Sequence, residues 1–157
     1  MSRTPQWEKK LGGHAGELYA AAELSKRGIL NALLPENFSD DDIIFSKKDG
    51  KKVGYIQVKS YHPDRGQSWK FSAKNEEWVN ASKNSFVVLV RLGSPKINES
   101  PSFWITTKRE VGRHCIKDPA HGTKNKDRRI QFSQRNPRIA VHEKWENNWK
   151  IIEQYLK

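Results

Sequence analysis

The stretch "SFVVLVRL", residues 85–92, constrains this chain more than any other. It is nearly all apolar, has the length of a strand, and offers no polar face to water. Such a strand is buried on both sides, so its sheet must be covered by a layer above and a layer below. The surrounding pattern supplies the layers. Spacing predicts a helix over residues 6–27, closed by Gly28 after Lys26 and Arg27. "ILNALL" (29–34) reads as a short strand stopped by Pro35. "DIIF" (42–45) and "VGYIQVKS" (53–60) flank "SKKDGKK", whose Asp49-Gly50 pair is a hairpin signal. "SWKFS" reads as another short strand, and Ser72 as the cap of a helix running to about residue 83, with Glu76 and Glu77 in its early turns. "SFWIT" (102–106) is a further strand, followed by a helix from 107 to about 116. Residues 117–136 are polar and basic. A last helix over 142–156 places Trp145, Trp149, Ile152 and Leu156 on one core-facing stripe. This order implies an α/β fold: one domain over 1–157, built as a three-layer sandwich around a central mixed β-sheet.

Composition narrows the function. The 157 residues include six tryptophans and 35% hydrophobic residues, enough for a real core. A single cysteine, Cys115, excludes an internal disulfide and a multi-cysteine zinc site. No signal-peptide pattern and no membrane-length apolar run is present, which predicts a cytoplasmic protein without membrane partners. Lys and Arg number 29 against 18 Asp and Glu, leaving +11 and a pI near 9.8. An excess of that size attracts polyanions, of which nucleic acid is the commonest.

Two places carry chemistry. In "YIQVKS" (55–60), Gln57 and Lys59 are two apart and share one face of an otherwise apolar strand. A turn centred on Asp49-Gly50 pairs residue 45 with 54 and sets Asp42 opposite Gln57, gathering an acid, an amide and a lysine in one patch. In the first helix, Leu11, Ala15, Leu18, Ala21, Ala22 and Leu24 share one arc, and Glu17 falls inside it. Either that carboxylate is satisfied by something at the sheet, or it reaches water from the helix margin.

"GELYAAAELSKRG", "DDIIF", a glycine turn and "YIQVKS", in that order, resemble the PD-(D/E)XK nuclease superfamily, which includes restriction endonucleases and archaeal Holliday-junction resolvases. The resemblance covers about residues 12–92, leaving 93–157 as a C-terminal extension. It implies the αβββαβ restriction-endonuclease-like core and a Mg²⁺-dependent endonuclease, with Mn²⁺ able to substitute. Glu17 matches the acid of the first core helix, and Asp42 the acid opening the second strand. Gln57 and Lys59 match the last acid and the lysine of the motif. Gln57 departs from the usual Asp or Glu, although a Gln-x-Lys form recurs in the superfamily, and the departure bears on metal affinity more than on fold.

The implied chemistry is phosphodiester hydrolysis. Asp42 and Glu17 serve as charged metal ligands, Gln57 and the Val58 carbonyl as neutral ones, and Lys59 orients or deprotonates the attacking water. Asp42 is preferred to Asp40 and Asp41 because it adjoins the apolar run. Ser60 is a possible substrate contact. Lys124, Lys126, Arg128 and Arg129 form a basic cluster that either grips a nucleic-acid backbone or is a solvated loop. The histidines lack zinc spacing and read as surface residues or phosphate contacts. The expected partner is nucleic acid, DNA ahead of RNA, with a homo-oligomer possible for a double-strand cut. Two rival functions remain: a catalytically inactive nucleic-acid-binding module of the same fold, and a basic scaffold of unrelated fold.

Overall fold

The computed structural model describes residues 3–37, 39–116 and 127–157. Its elements in chain order are α1 (Gln6–Lys26), β1 (Leu30–Leu33), β2 (Ile43–Ser46), β3 (Val53–Tyr61), β4 (Ser68–Ser72), a 3-10 segment (Ala73–Asn80), β5 (Ser85–Arg91), β6 (Ser102–Thr107), α2 (Lys108–Ile116), β7 (Asp127–Gln131) and α3 (Lys150–Leu156). Five strands form one mixed sheet in the order β1-β2-β3-β5-β6, with β3 and β5 parallel and the other neighbours antiparallel. β4 and β7 form a separate two-stranded ribbon.

β5 is buried on both faces, as its apolar run requires. Phe86, Val88 and Val90 point into a core shared with Ala20 and Leu24 of α1 and Trp149, Ile152 and Leu156 of the C-terminal segment. Val87 and Leu89 point into a second core with Trp69, Phe71, Val111, Ile130 and Trp145. Each of the five central β5 side chains is at most 3% exposed, and full burial of one such side chain contributes about 1.5–3 kcal/mol. The sheet therefore lies between two layers, and the architecture is the expected α/β three-layer sandwich. β6 completes the sheet, and the C-terminal helix packs into the first core through Ile152 and Leu156.

The hairpin keeps its expected register by a different turn. Lys47 N–H bonds the Lys52 carbonyl at 3.3 Å, so four residues form the loop, and Gly50, at φ +69°, takes the left-handed position. Both loops are centred between Asp49 and Gly50, so Phe45 still pairs with Gly54.

Four local expectations are corrected. Residues 73–80 form a 3-10 segment, started by the Ser72 N–H bonding Asn75 Oδ1 at 2.7 Å, not an α-helix reaching 83. The basic stretch contains a strand, β7, whose Ile130 is buried against Trp69. The C-terminal helix is broken: Asn147 has φ 49°, its N–H bonds the Phe103 carbonyl at 2.9 Å, and the residues around it cover part of the β6 edge. Trp145 and Trp149 consequently enter different cores. Finally, α1 buries Gly16, Ala20 and Leu24, while Leu11 and Leu18 are 59% and 48% exposed. Around Gly16 the helix lies too close to the sheet to admit a larger side chain, and Leu24 enters the core further along.

Candidate functional site

β2 stops one residue short of the expected Asp42–Gln57 pair, and the ladder ends at Ile43–Ile56. Asp42 nevertheless stays tied to β3 by two bonds that bracket Gln57. Its N–H donates to the Ile56 carbonyl at 2.9 Å, and its Oδ2 accepts the Val58 N–H at 2.7 Å. Residues two apart in a strand present their backbone groups to the same edge, so the Val58 carbonyl faces the β2 side, beyond the point where β2 begins. The end of the hairpin thus presents a carboxylate, an amide side chain and a strand edge together.

α1 lies close over the face of β3 because residue 16 is glycine. A Cβ built there would stand 2.7 Å from the Ser60 Cβ, closer than real contacts allow. The Ser60 hydroxyl donates to the Gly12 carbonyl at 3.0 Å, fastening the helix at that height. Glu17 follows directly, half-buried and within electrostatic reach of Asp42.

The electrostatics are those of a crowded, partly desolvated site. Burial pushes the Glu17 carboxyl above its ordinary range; Asp42 and Glu36 push it the same way, against His14. Burial also raises Asp42, helped by Asp41, while the Val58 N–H and the charges of Lys59 and Lys108 hold it down. Lys59 is lowered by burial, against the attraction of Asp42 and Asp40, and its Nζ lies 5.7 Å over the Phe71 ring. Gln57 Oε1 is buried and accepts no hydrogen bond. A buried oxygen without a partner costs about 1–3 kcal/mol unless something else satisfies it.

The three consecutive aspartates are divided among different partners. Asp40 is exposed and acts on Lys59 from a distance. Asp41 forms an ion pair with Lys108 at 2.7 Å, and Asp42 caps Val58. Lys108 is a site neighbour that sequence reasoning missed. It is 7% exposed, and its Nζ sits 5.0 Å over Trp78. A lysine directly after the buried strand "SFWITT" was the available signal, because a charge in that position needs a partner.

The remaining expected residues are distributed unevenly. Ser60 spends its hydroxyl proton on Gly12 but also lines a cleft of about 700 Å³ with Trp7, Tyr19, Lys59, His62 and Lys70. Glu17, Asp42 and Gln57 lie outside that lining, so the cleft meets the site at Lys59 and Ser60 alone. Arg128 is turned inward, 7% exposed and paired with Glu76 at 2.7 Å, contrary to its expected place in an outward basic cluster. Arg129 is on the opposite face of β7. Lys124 and Lys126 lie outside the described residues. His114 is 4% exposed and stacks edge-on with His142 and Trp145, so it is a buried residue and not the expected surface one.

No protein-family model matches the chain, and no curated protein matches it in sequence. Among solved structures it is similar to "The structure of a bacterial homing endonuclease: I-Ssp6803I", with a TM-score of 0.55, 16% identity and 92% of each chain covered. The two chains share a fold. The likeness runs through nearly the whole of both, so it takes in residues beyond position 92.

No helix among the described residues is long and apolar enough to cross a membrane.

Proposed function

We propose that this protein is a metal-dependent endonuclease of the PD-(D/E)XK type that hydrolyses phosphodiester bonds in DNA. The observation that carries the proposal is the partnerless buried oxygen of Gln57, bracketed by the two bonds of Asp42 to β3. Glu17 and Asp42 are both half-buried carboxylates, and the charge of Asp42 adds to burial in raising Glu17. Among the described residues no three His, Cys, Asp or Glu side chains form a metal cluster, and the Gln57 amide would be the third donor. An all-oxygen set of two carboxylates, one amide and one strand carbonyl suits Mg²⁺ or Mn²⁺. Asp42, Glu17, Gln57 and the Val58 carbonyl would hold the ion, which supplies Lewis-acid polarisation of the phosphoryl oxygen and acidifies bound water.

The chain's own residues do the rest. Lys59, with its lowered pKa, has more free amine than an exposed lysine and can take the proton of the attacking water. Its ammonium form steadies the charge that builds on the phosphate. The water oxygen bonds phosphorus as the bond to the leaving sugar oxygen breaks. A module that only binds has no use for two repelling carboxylates held at a cost in stability. The net charge of +11 and the fold shared with a homing endonuclease support DNA as substrate.

The test is incubation with labelled duplex DNA, branched DNA and RNA in Mg²⁺ or Mn²⁺. Cleavage of DNA by the wild type, and slower cleavage by Lys59→Ala, on the order of 10²-fold or more, is expected. Cleavage undiminished in Lys59→Ala would remove "YIQVKS" from the chemistry.

A further inference from the structure

We propose that the outer face of the β4–β7 ribbon docks in the major groove of duplex DNA and guides the strand toward Lys59, an inference that builds on the nuclease proposal. The ribbon stands outside the main sheet. Its register pairs Trp69 with Ile130, Lys70 with Arg129 and Phe71 with Arg128. Trp69, Phe71 and Ile130 are buried in the second core, so alternation puts Lys70 and Arg129 on the opposite face, directly across from one another. Opposed residues have Cβ atoms about 5 Å apart, and like charges in that relation destabilise a ribbon.

Among the described residues no carboxylate relieves the repulsion. Arg128, the next residue, is neutralised by Glu76. Among the described residues neither Lys70 nor Arg129 has an ion pair, and Arg129 Nε is buried without a hydrogen-bond partner. A pair of cations placed where the strand pairing disfavours them is suited to an external anion. Lys70 also lines the cleft that contains Lys59 and Ser60, so a polyanion on the ribbon continues toward the proposed catalytic lysine.

The shape selects among polyanions. The major groove of B-form DNA, about 12 Å wide, admits a two-stranded ribbon. The A-form major groove is too narrow and deep for side chains to read, and a single strand has no groove.

The test is binding in EDTA, followed by fluorescence anisotropy across a salt series. Ligands are a labelled DNA duplex, the RNA duplex of the same sequence and one unpaired strand. Lys70→Gln/Arg129→Gln is compared with Lys48→Gln/Lys51→Gln, which removes the same charge from the exposed hairpin loop. The wild type should prefer duplex DNA. The ribbon variant should lose on the order of tenfold or more in affinity near physiological salt, and its log–log salt slope should shrink by about 1.8, two phosphates at about 0.9 each. The hairpin variant should keep its slope. Lys70→Gln alone alters only an exposed side chain and should shrink the slope by about 0.9. An unchanged slope in these ribbon variants, an equal loss in the hairpin variant, or equal affinity for the RNA duplex overturns the proposal. Ribbon-dependent binding without cleavage in Mg²⁺ or Mn²⁺ would sink the nuclease proposal and keep this one; cleavage indifferent to Lys70 and Arg129 would do the reverse.

Discussion

The Asp42 carboxylate accepts the Val58 amide proton at 2.7 Å, joining two residues sixteen apart at the point where β2 begins. A side chain thus completes a ladder that backbone would otherwise continue. The strand edge beyond it carries the Val58 carbonyl and is flanked by Gln57 and Lys59.

Asp41 and Asp42 should behave oppositely. Asp42→Asn keeps an acceptor for Val58 but loses a charge that burial penalises, so it should abolish metal-dependent cleavage while leaving the fold intact. Asp41→Asn breaks the ion pair with the nearly buried Lys108 and should cost about 1–3 kcal/mol of stability. Its cleavage should survive at temperatures where the chain is folded. Denaturant melts and cleavage assays on both variants give the comparison. An inactive Asp41→Asn beside an active Asp42→Asn would move the metal ligand by one residue.

The pH dependence of stability has a definite sign. Glu17 and Asp42 have raised pKa values in the folded chain, so folding favours their protonated forms. Their ionisation costs no stability well below the unfolded carboxylate values. The cost appears as pH rises through those values and is complete above the raised folded ones. Metal-free Glu17→Gln/Asp42→Asn should therefore melt above the wild type at neutral pH, with the gap closing toward acid. Added Mg²⁺ should raise the wild-type melting temperature and leave the variant's unchanged. A variant that melts below the wild type at neutral pH would show that the carboxylates support the fold.

Within "YIQVKS" the two polar residues should not be equivalent. Lys59→Ala should reduce cleavage by on the order of 10²-fold or more, the loss typical of removing a charge-stabilising group. Gln57→Ala should lose less, because water can replace one neutral ligand. Gln57→Glu should remain active and reach half-maximal rate at lower Mg²⁺, since it adds a charged ligand beside Asp42. A rate titration over Mg²⁺ for the three variants checks the ranking. A Gln57→Glu that needs more Mg²⁺ than the wild type would take residue 57 out of the ligand set.

Gly16 should matter to the site through Ser60. Gly16→Ala drives a methyl group into Ser60 and should cost about 1–3 kcal/mol, displacing α1 and Glu17 with it. Gly16→Ala/Ser60→Gly removes the obstructing side chain and should recover much of the stability and of the cleavage rate. A double-mutant cycle with no coupling between the two positions would contradict the close approach.

The sequence by itself determined the layered α/β architecture and the central hairpin; the strand order came from the tertiary structure. The apolar run 85–92 required two covering layers, the hairpin centre between Asp49 and Gly50 determined the pairing of Phe45 with Gly54, and the Gln-x-Lys alternation placed Gln57 and Lys59 on one face. These are short-range properties of side-chain period and turn chemistry, legible without coordinates. Tertiary structure decided what periodicity could not. α1 lies against the sheet at Gly16, which meets Ser60, and leaves Leu11 and Leu18 outside. β7 was hidden in a basic stretch because only the partner strand gives Ile130 a place to be buried. The C-terminal helix broke at Asn147 because its Trp145 and Trp149 serve cores on opposite sides of the sheet. Lys108 came to Asp41 across 67 residues of chain, a contact no local pattern encodes. Local chemistry sets the period and the turns; which face is buried depends on packing partners distant in sequence.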